Sequence, residues 1–206
     1  MKIVFTSDWH NYKLGSSLEG DVFVHSGDIS MRGEYSELKD FDAFIKHLNF
    51  KHKIVIPGNH DFCFDKRFGH TLCHPVENAI ILINNGITID GTSFWGSPYC
   101  PQFGTWAFME PDNELKKYWD MIPENTDVLV THAPPFGILD YSNLLLGHAG
   151  SRTLRDRLNV VSPKIHAFGH IHEGHGMTIC NNTTFLNTSA VDENYVYRHP
   201  PMIVEL

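Results

Sequence analysis

A chain of 206 residues suits one domain, 1–206, with room for a sizeable core. Its formal net charge of −8 excludes the basic footprint of a general nucleic-acid binder. No apolar run nears the roughly 20 residues that cross a bilayer, so no membrane partner is expected. Met1 to Thr6 turns polar too soon for a secretory leader, and Cys63, Cys73, Cys100 and Cys180 form no CxxC pair. A cytoplasmic setting with reduced thiols is the expectation. Fourteen histidines are many for this length, and histidine serves both as metal ligand and as acid or base near neutral pH.

Lys2 to Thr6 reads as a strand, and Asp8-Trp9-His10 follows it directly. Asp21 to His25 is a second buried strand, running into Ser26-Gly27-Asp28. Ser36 to Leu48 is helical: Leu38, Phe41, Ile45 and Leu48 recur every three to four residues. Ile54-Val55-Ile56 forms a third strand, broken at Pro57-Gly58 and followed by Asn59-His60-Asp61. The pattern over the first sixty residues is β, β, α, β, and every strand ends in a polar cluster. Ligands of open α/β sheets bind beyond the carboxyl ends of the strands.

Ile80–Ile83 and Ile87–Ile89 flank Asn84-Asn85-Gly86, a hairpin signal, and Thr92 to Trp95 extends a meander that opens a second sheet. Residues 97–111 are rich in proline and aromatics. They read either as a loop packed by its own rings or as an aromatic wall able to stack on a base. Asp112 to Trp119 is a short helix with Asp112 or Asn113 as cap. Asp127 to Val130 is a buried strand ending in Thr131-His132. A long loop, Ala133 to Gly150, leads to a helix, Ser151 to Leu158, whose Arg152, Arg155 and Arg157 read as a solvated face. Ile165 to Phe168 is the last strand of the polar-ended set and delivers Gly169-His170-Ile171-His172. Short strands and turns fill the tail.

The polar strand ends collect Asp8, His10, Asp28, Asn59, His60, His132, His170 and His172. Mixed nitrogen and oxygen ligands suit manganese, iron or zinc. Eight such groups exceed what one tetrahedral ion uses and suit a pair of ions bridged by a carboxylate. Asn11, next to His10, and His148, in the long loop, are further candidates for touching a substrate. His25 reads as a strand residue with a satisfied ring and His175 as a rim residue. His47, His52, His70, His74, His166 and His199 carry no functional expectation.

Asp8-x-His10, Gly27-Asp28, Gly58-Asn59-His60-Asp61, His132 and Gly169-His170-x-His172 resemble, in order, the five blocks of the calcineurin-like metallophosphoesterases. The similarity to the metallophosphoesterase-domain-containing (MPPED) proteins and their bacterial relatives extends through Phe94-Trp95-Gly96-Ser97-Pro98-Tyr99 and Thr131-His132-Ala133-Pro134-Pro135. Some animal members carry glycine at the position matching His170, where this chain keeps the imidazole. The resemblance implies an α/β four-layer sandwich, two mixed β-sheets flanked by helices. It implies two divalent ions, manganese first and iron or zinc otherwise. Asp8, His10, Asp28 and His172 would hold one ion. Asn59, His132 and His170 would hold the other, with Asp28 bridging. His60 would face the scissile phosphate without binding metal, oriented by Asp61. The implied activity is phosphoester hydrolysis. Small nucleotide-type phosphodiesters, cyclic nucleotides included, are the expected substrates.

Three other readings stand beside it. A phosphomonoesterase or protein phosphatase shares the core. A metal-binding scaffold without catalysis would show missing ligands, and none is missing. A metal-dependent amidohydrolase would need His-x-His after its first strand and a barrel-sized chain.

Overall fold

Each buried strand carries apolar side chains on both faces, and the architecture follows from that. The computed structural model describes residues 1–13, 18–68 and 76–206, so His70, Cys73 and His74 lie outside the described residues. Strands β1 (Lys2–Thr6) and β2 (Glu19–Ser26) are followed by helix α1 (Tyr35–Ile45) and strand β3 (Asn49–Ile56). The three strands run parallel. Successive strand residues point to opposite faces. Ile3, Phe5, Val22, Val24, Ile54 and Ile56 therefore share one face, and Val4, Phe23 and Val55 the other. Both faces need covering, which is why these strands read as unbroken apolar runs.

α1 covers the second face with Leu38, Phe41 and Ile45. It begins a residue before Ser36, because the Glu37 carboxylate accepts from the Glu34 N–H at 2.9 Å and closes a capping box. The helix stops at Ile45, three residues short of the expected Leu48.

β4 (Ile80–Ile81) adds to β3 in parallel. The next strands, β5 (Asn85–Ile89) and β6 (Thr92–Ser97), pair antiparallel with each other. The expected hairpin at Asn84-Asn85-Gly86 does not form, because β4 and β5 belong to different sheets. Asn85 Oδ1 instead accepts from the Ile83 N–H at 2.6 Å, a side-chain turn where the chain crosses between sheets. The hairpin turn is Asp90-Gly91, with φ of 47° and 83°, both in the region that a tight two-residue turn of this hand needs.

Two short strands, β7 (Cys100–Pro101) and β8 (Met109–Glu110), pair across the aromatic stretch. Helix α2 (Asp112–Trp119) precedes β9 (Val128–Thr131). A small hairpin, β10 (Tyr141–Ser142) and β11 (Gly147–His148), sits inside the long loop. Helix α3 (Arg152–Val161) leads to β12 (Ile165–Phe168). β13 (Gly176–Cys180), β14 (Thr183–Asn187) and β15 (Met202–Glu205) complete the chain. Asp112 does not cap its own helix. Its carboxylate accepts from Ser151 Oγ at 2.6 Å and from the Arg152 N–H at 3.1 Å, so it helps to cap α3.

The strand orders are β15-β1-β2-β3-β4 and β13-β14-β12-β9-β6-β5. Each sheet is parallel inside with an antiparallel strand at its margin (β15 in the first, β13 and β5 in the second). Phe94, Val128, Val130, Ile165, Ala167 and Leu186 pack against the Ile3 face of the first sheet. On the far side of the second sheet Leu129 and Phe168 meet Leu115 and Trp119 of α2 and Leu154 and Leu158 of α3. The layers run helix, sheet, sheet, helices, the four-layer sandwich expected. The α3 arginines are not simply solvated: Arg152 lies over the Phe136 ring at 3.6 Å, and an Arg157 Nη donates to the Ile122 carbonyl at 2.6 Å. Cys63, Cys100 and Cys180 form no disulfide among the described residues. No helix among the described residues is long and apolar enough to cross a membrane.

The carboxyl ends of the parallel strands meet along one edge of the sandwich. The Asp8 N–H donates to the Gly27 carbonyl at 2.9 Å, and the Gly169 N–H to that of His132 at 2.9 Å. The two sheets are joined there by His132 Nδ1, 3.0 Å from the Ser26 carbonyl.

Candidate metal centre

The turns that leave the strands at this edge are tight. Asp8, His10, Asp28 and His170 all hold positive φ, at 53°, 45°, 56° and 69°. Non-glycine residues rarely adopt this conformation, at a cost of order 1–3 kcal/mol each, and it clusters at functional sites. Trp9 separates the first two. Its indole N–H donates to Thr6 Oγ1 at 2.8 Å and its ring sinks into the α1 core, which leaves Asp8 and His10 facing the edge. Two glycines permit the close approach. A Cβ on Gly58 would overlap Asp28 Oδ1, and one on Gly169 would overlap Asp8 Oδ2 and Ser7 Oγ.

Ligand atoms converge in three overlapping groups, each within 4.8 Å: Asp8, His10 and His172; His10, Asp28 and His60; Asp28, His132 and His170. His10 Nε2 lies 3.3 Å from His172 Nε2, and His172 Nε2 lies 3.6 Å from Asp8 Oδ1. His132 Nε2 lies 2.8 Å from Asn59 Oδ1. Asp28 Oδ2 is shared, 3.7 Å from His10 Nε2 and 3.4 Å from His132 Nε2. Asp28 Oδ1 is taken by the His60 N–H at 2.9 Å, so only Oδ2 faces both halves. Asp8 is held more evenly, with both oxygens accepting from the His170 N–H at 3.1 Å. Its Oδ2 accepts from Ser7 Oγ at 2.5 Å and Ser189 Oγ at 2.7 Å.

The imidazoles are oriented by backbone. Nδ1 of His60, His132 and His172 meets the carbonyls of Met31, Ser26 and Asp192 at 2.8, 3.0 and 3.0 Å. A carbonyl can only accept, so Nδ1 carries the proton in each. Nε2 is then turned inward, the arrangement seen when histidine binds a metal through Nε2.

The electrostatics call for positive charge. Burial works to raise Asp8 and Asp28, but the facing imidazoles outweigh it and hold both below the usual carboxylate range. Burial works against charge on His132, yet Asp28 and Asp8 push it up to about 9. His10 falls to about 4 and His170 to about 3, chiefly through burial, and so keep a free lone pair. Two buried anionic carboxylates, inward lone pairs and an amide oxygen fit a pair of divalent cations. Asp8, His10, Asp28 and His172 could hold one, and Asp28, Asn59, His132 and His170 the other.

Eight of the residues singled out in the sequence are thus gathered at one place. Asp61 departs from its expected role, and Asn11 and His148 are bonded to neighbours outside the three ligand groups. Asp61 does not orient the His60 ring, whose Nδ1 is held by the Met31 carbonyl. Its buried carboxylate accepts from the N–H groups of Gly58, Ile29 and Ser30 and from Ser30 Oγ, so it pins the Gly58 turn to the loop after β2. Asn11 turns its amide to Glu37 at 2.6 Å and lines a cavity of about 190 Å³ against α1. His148 pairs with Asp140 at 2.7 Å beside Phe136 and Tyr141. The His25 ring is only half satisfied: Nδ1 accepts from the Gly27 N–H at 3.3 Å, while the buried Nε2 has no hydrogen-bond partner among the described residues. His175 stacks on His199 at 3.9 Å.

The aromatic stretch is split between packing and lying beside the site. Tyr99 packs on Phe108 and Tyr118, while Trp106 lies 4.4 Å from the His60 ring and Phe103 5.5 Å from that of His170. Tyr195 and Ser189 carried no signal in the sequence, because the tail that holds them reaches the site only through the fold.

A model of the calcineurin-like phosphoesterase family matches residues 1–174. Metallophosphoesterase domain-containing protein 1 of Homo sapiens is 34% identical over 211 residues, taking in 91% of this chain. The chain spans 65% of that protein's length. A UPF0046 protein of Caenorhabditis elegans is 32% identical over 231 residues, covering 100% of this chain and 81% of its own. A crystal structure 16% identical in sequence superposes with a TM-score of 0.71 over 99% of this chain and 98% of its own, a likeness of fold.

Proposed function

The chain belongs to the calcineurin-like phosphoesterase family, and from that premise we propose that it hydrolyses small nucleotide-type phosphodiesters with two divalent ions, manganese first among them. The observation that carries this is Asp28, one oxygen of which is spent on the His60 amide while the other faces His10 at 3.7 Å and His132 at 3.4 Å. When bound, two such cations supply neutralisation of phosphate oxygens and acidify water.

The protein groups have separate tasks. Asp8, Asp28, Asn59 and the four imidazoles of His10, His132, His170 and His172 hold the ions. The hydroxyls of Ser7 and Ser189 steer Asp8 through Oδ2, while Oδ1, which accepts from the His170 N–H at 3.1 Å, faces His172 at 3.6 Å. The His60 Nδ1–H donates a hydrogen bond to the Met31 carbonyl at 2.8 Å. Any second proton therefore sits on Nε2, where it can pass to the departing oxygen as general acid. Trp106 backs the ring and limits its rotation.

Metal-reconstituted protein tests the reading. We expect two ions per chain, turnover of bis-p-nitrophenyl phosphate faster than of the monoester, and cleavage of cyclic nucleotides. Clearly faster monoester turnover would make it a phosphomonoesterase instead.

A further inference from the structure

Tyr195 stands apart from every core cluster among the described residues, yet its ring leans over the site. Its centroid lies 4.8 Å from that of His10, 5.5 Å from His172 and 6.4 Å from His60, at steep angles of 81°, 89° and 64°. It is 47% exposed, so the ring is not there to fill a void. The backbone holds a φ of 59°, a strained conformation for a bulky residue.

The turn that carries Tyr195 is built to hold it. Asp192 Oδ1 accepts from the Asn194 and Val196 N–H groups at 2.9 and 3.0 Å, and Oδ2 from Arg198 Nε at 2.9 Å. The Asp192 carbonyl accepts from the Tyr195 N–H at 2.9 Å and from His172 Nδ1 at 3.0 Å. One carbonyl thus ties both the ring and a candidate metal ligand to the same turn.

We propose that Tyr195 is a specificity-determining residue whose ring packs against a planar group on the leaving side of the phosphodiester, a nucleobase or an aryl ring. The proposal rests on the phosphodiesterase reading above. His60 marks the side on which the leaving oxygen departs. Trp106 and Tyr195 flank that imidazole at 4.4 and 6.4 Å. Trp106 lies nearly along His60, tilted 32°, and is occupied with it, whereas Tyr195 keeps a surface open to solvent. Ring-on-ring packing there would select flat leaving groups over compact ones.

Tyr195→Ala and Tyr195→Phe in the metal-loaded protein test this. In the alanine variant KM for bis-p-nitrophenyl phosphate should rise, and binding of adenosine 5′-monophosphate should weaken, about three- to tenfold. Inhibition by inorganic phosphate, kcat and metal content should stay within about twofold of the parent, and phenylalanine should restore both losses, since the ring and not the hydroxyl is invoked. Equal weakening toward phosphate and nucleotide would overturn the proposal, as would no change toward either or a phenylalanine variant that behaves like alanine. If the parent protein cleaves no phosphodiester, the underlying reading fails, and the nucleotide-against-phosphate comparison still decides the role of Tyr195.

Discussion

The floor of the site and its rim are built on opposite plans. Asp8, Asp28, Asn59 and His132 on the floor are at most 2% exposed, and each is held by a backbone group or a neighbouring side chain. Phe103 and Tyr195 on the rim are 61% and 47% exposed and stand on loops. Buried, fully bonded groups sit in one place and answer any substitution with a large loss. Exposed rings give up a contact and little else. The difference teaches that the proposed chemistry belongs to the floor and the proposed selection to the rim.

Asp28→Ala should show the largest effect. It removes the oxygen shared by both halves of the floor, so metal content should fall and activity should drop to background. Elemental analysis with a turnover assay checks this, and unchanged values for both would remove Asp28 from the centre of the site. His60→Ala should come next, since His60 joins floor to rim. Metal content should hold while kcat drops about 10²–10⁴-fold, the usual loss for a general acid. A parallel loss of metal would make His60 a ligand, which its place beside His10 and Asp28 makes a fair trial.

Ser189→Ala acts one layer behind the floor. It deletes the hydroxyl on Asp8 Oδ2 at 2.7 Å and should weaken metal affinity about 10–100-fold, read by competition with a chelating dye. Phe103→Ala should be the mildest. KM should rise about two- to fivefold with metal affinity untouched, as expected for one exposed ring contact. A Phe103 effect as large as that of Ser189 would erase the distinction between floor and rim.

Much of the floor was legible in the sequence because each candidate ligand sits within a few residues of a strand end. The Asp8-x-His10 spacing, the Pro57-Gly58 break and the apolar runs before them are local patterns, and local patterns survive translation into structure. The hairpin at Asn84-Asn85-Gly86 was misread for the opposite reason. Ile80–Ile81 and Asn85–Ile89 are both strands, but their partners lie elsewhere in the chain. Asn11 and His148 were drawn to the site by proximity in sequence and are held by Glu37 and Asp140 instead. Asp61 follows His60 directly, yet its carboxylate is turned back to the loop after β2.

Alone, the sequence determined the α/β layering and which candidate donors stand at the strand ends, because periodicity and strand-end chemistry act over a handful of residues. The tertiary structure alone decided which oxygen of Asp28 is free, which carbonyls turn the imidazoles inward, and that Ser189 and Tyr195 stand at the site. Those outcomes depend on two sheets meeting along one edge. The Ser189 hydroxyl reaches Asp8 across 181 positions of chain, a separation over which no local spacing carries information.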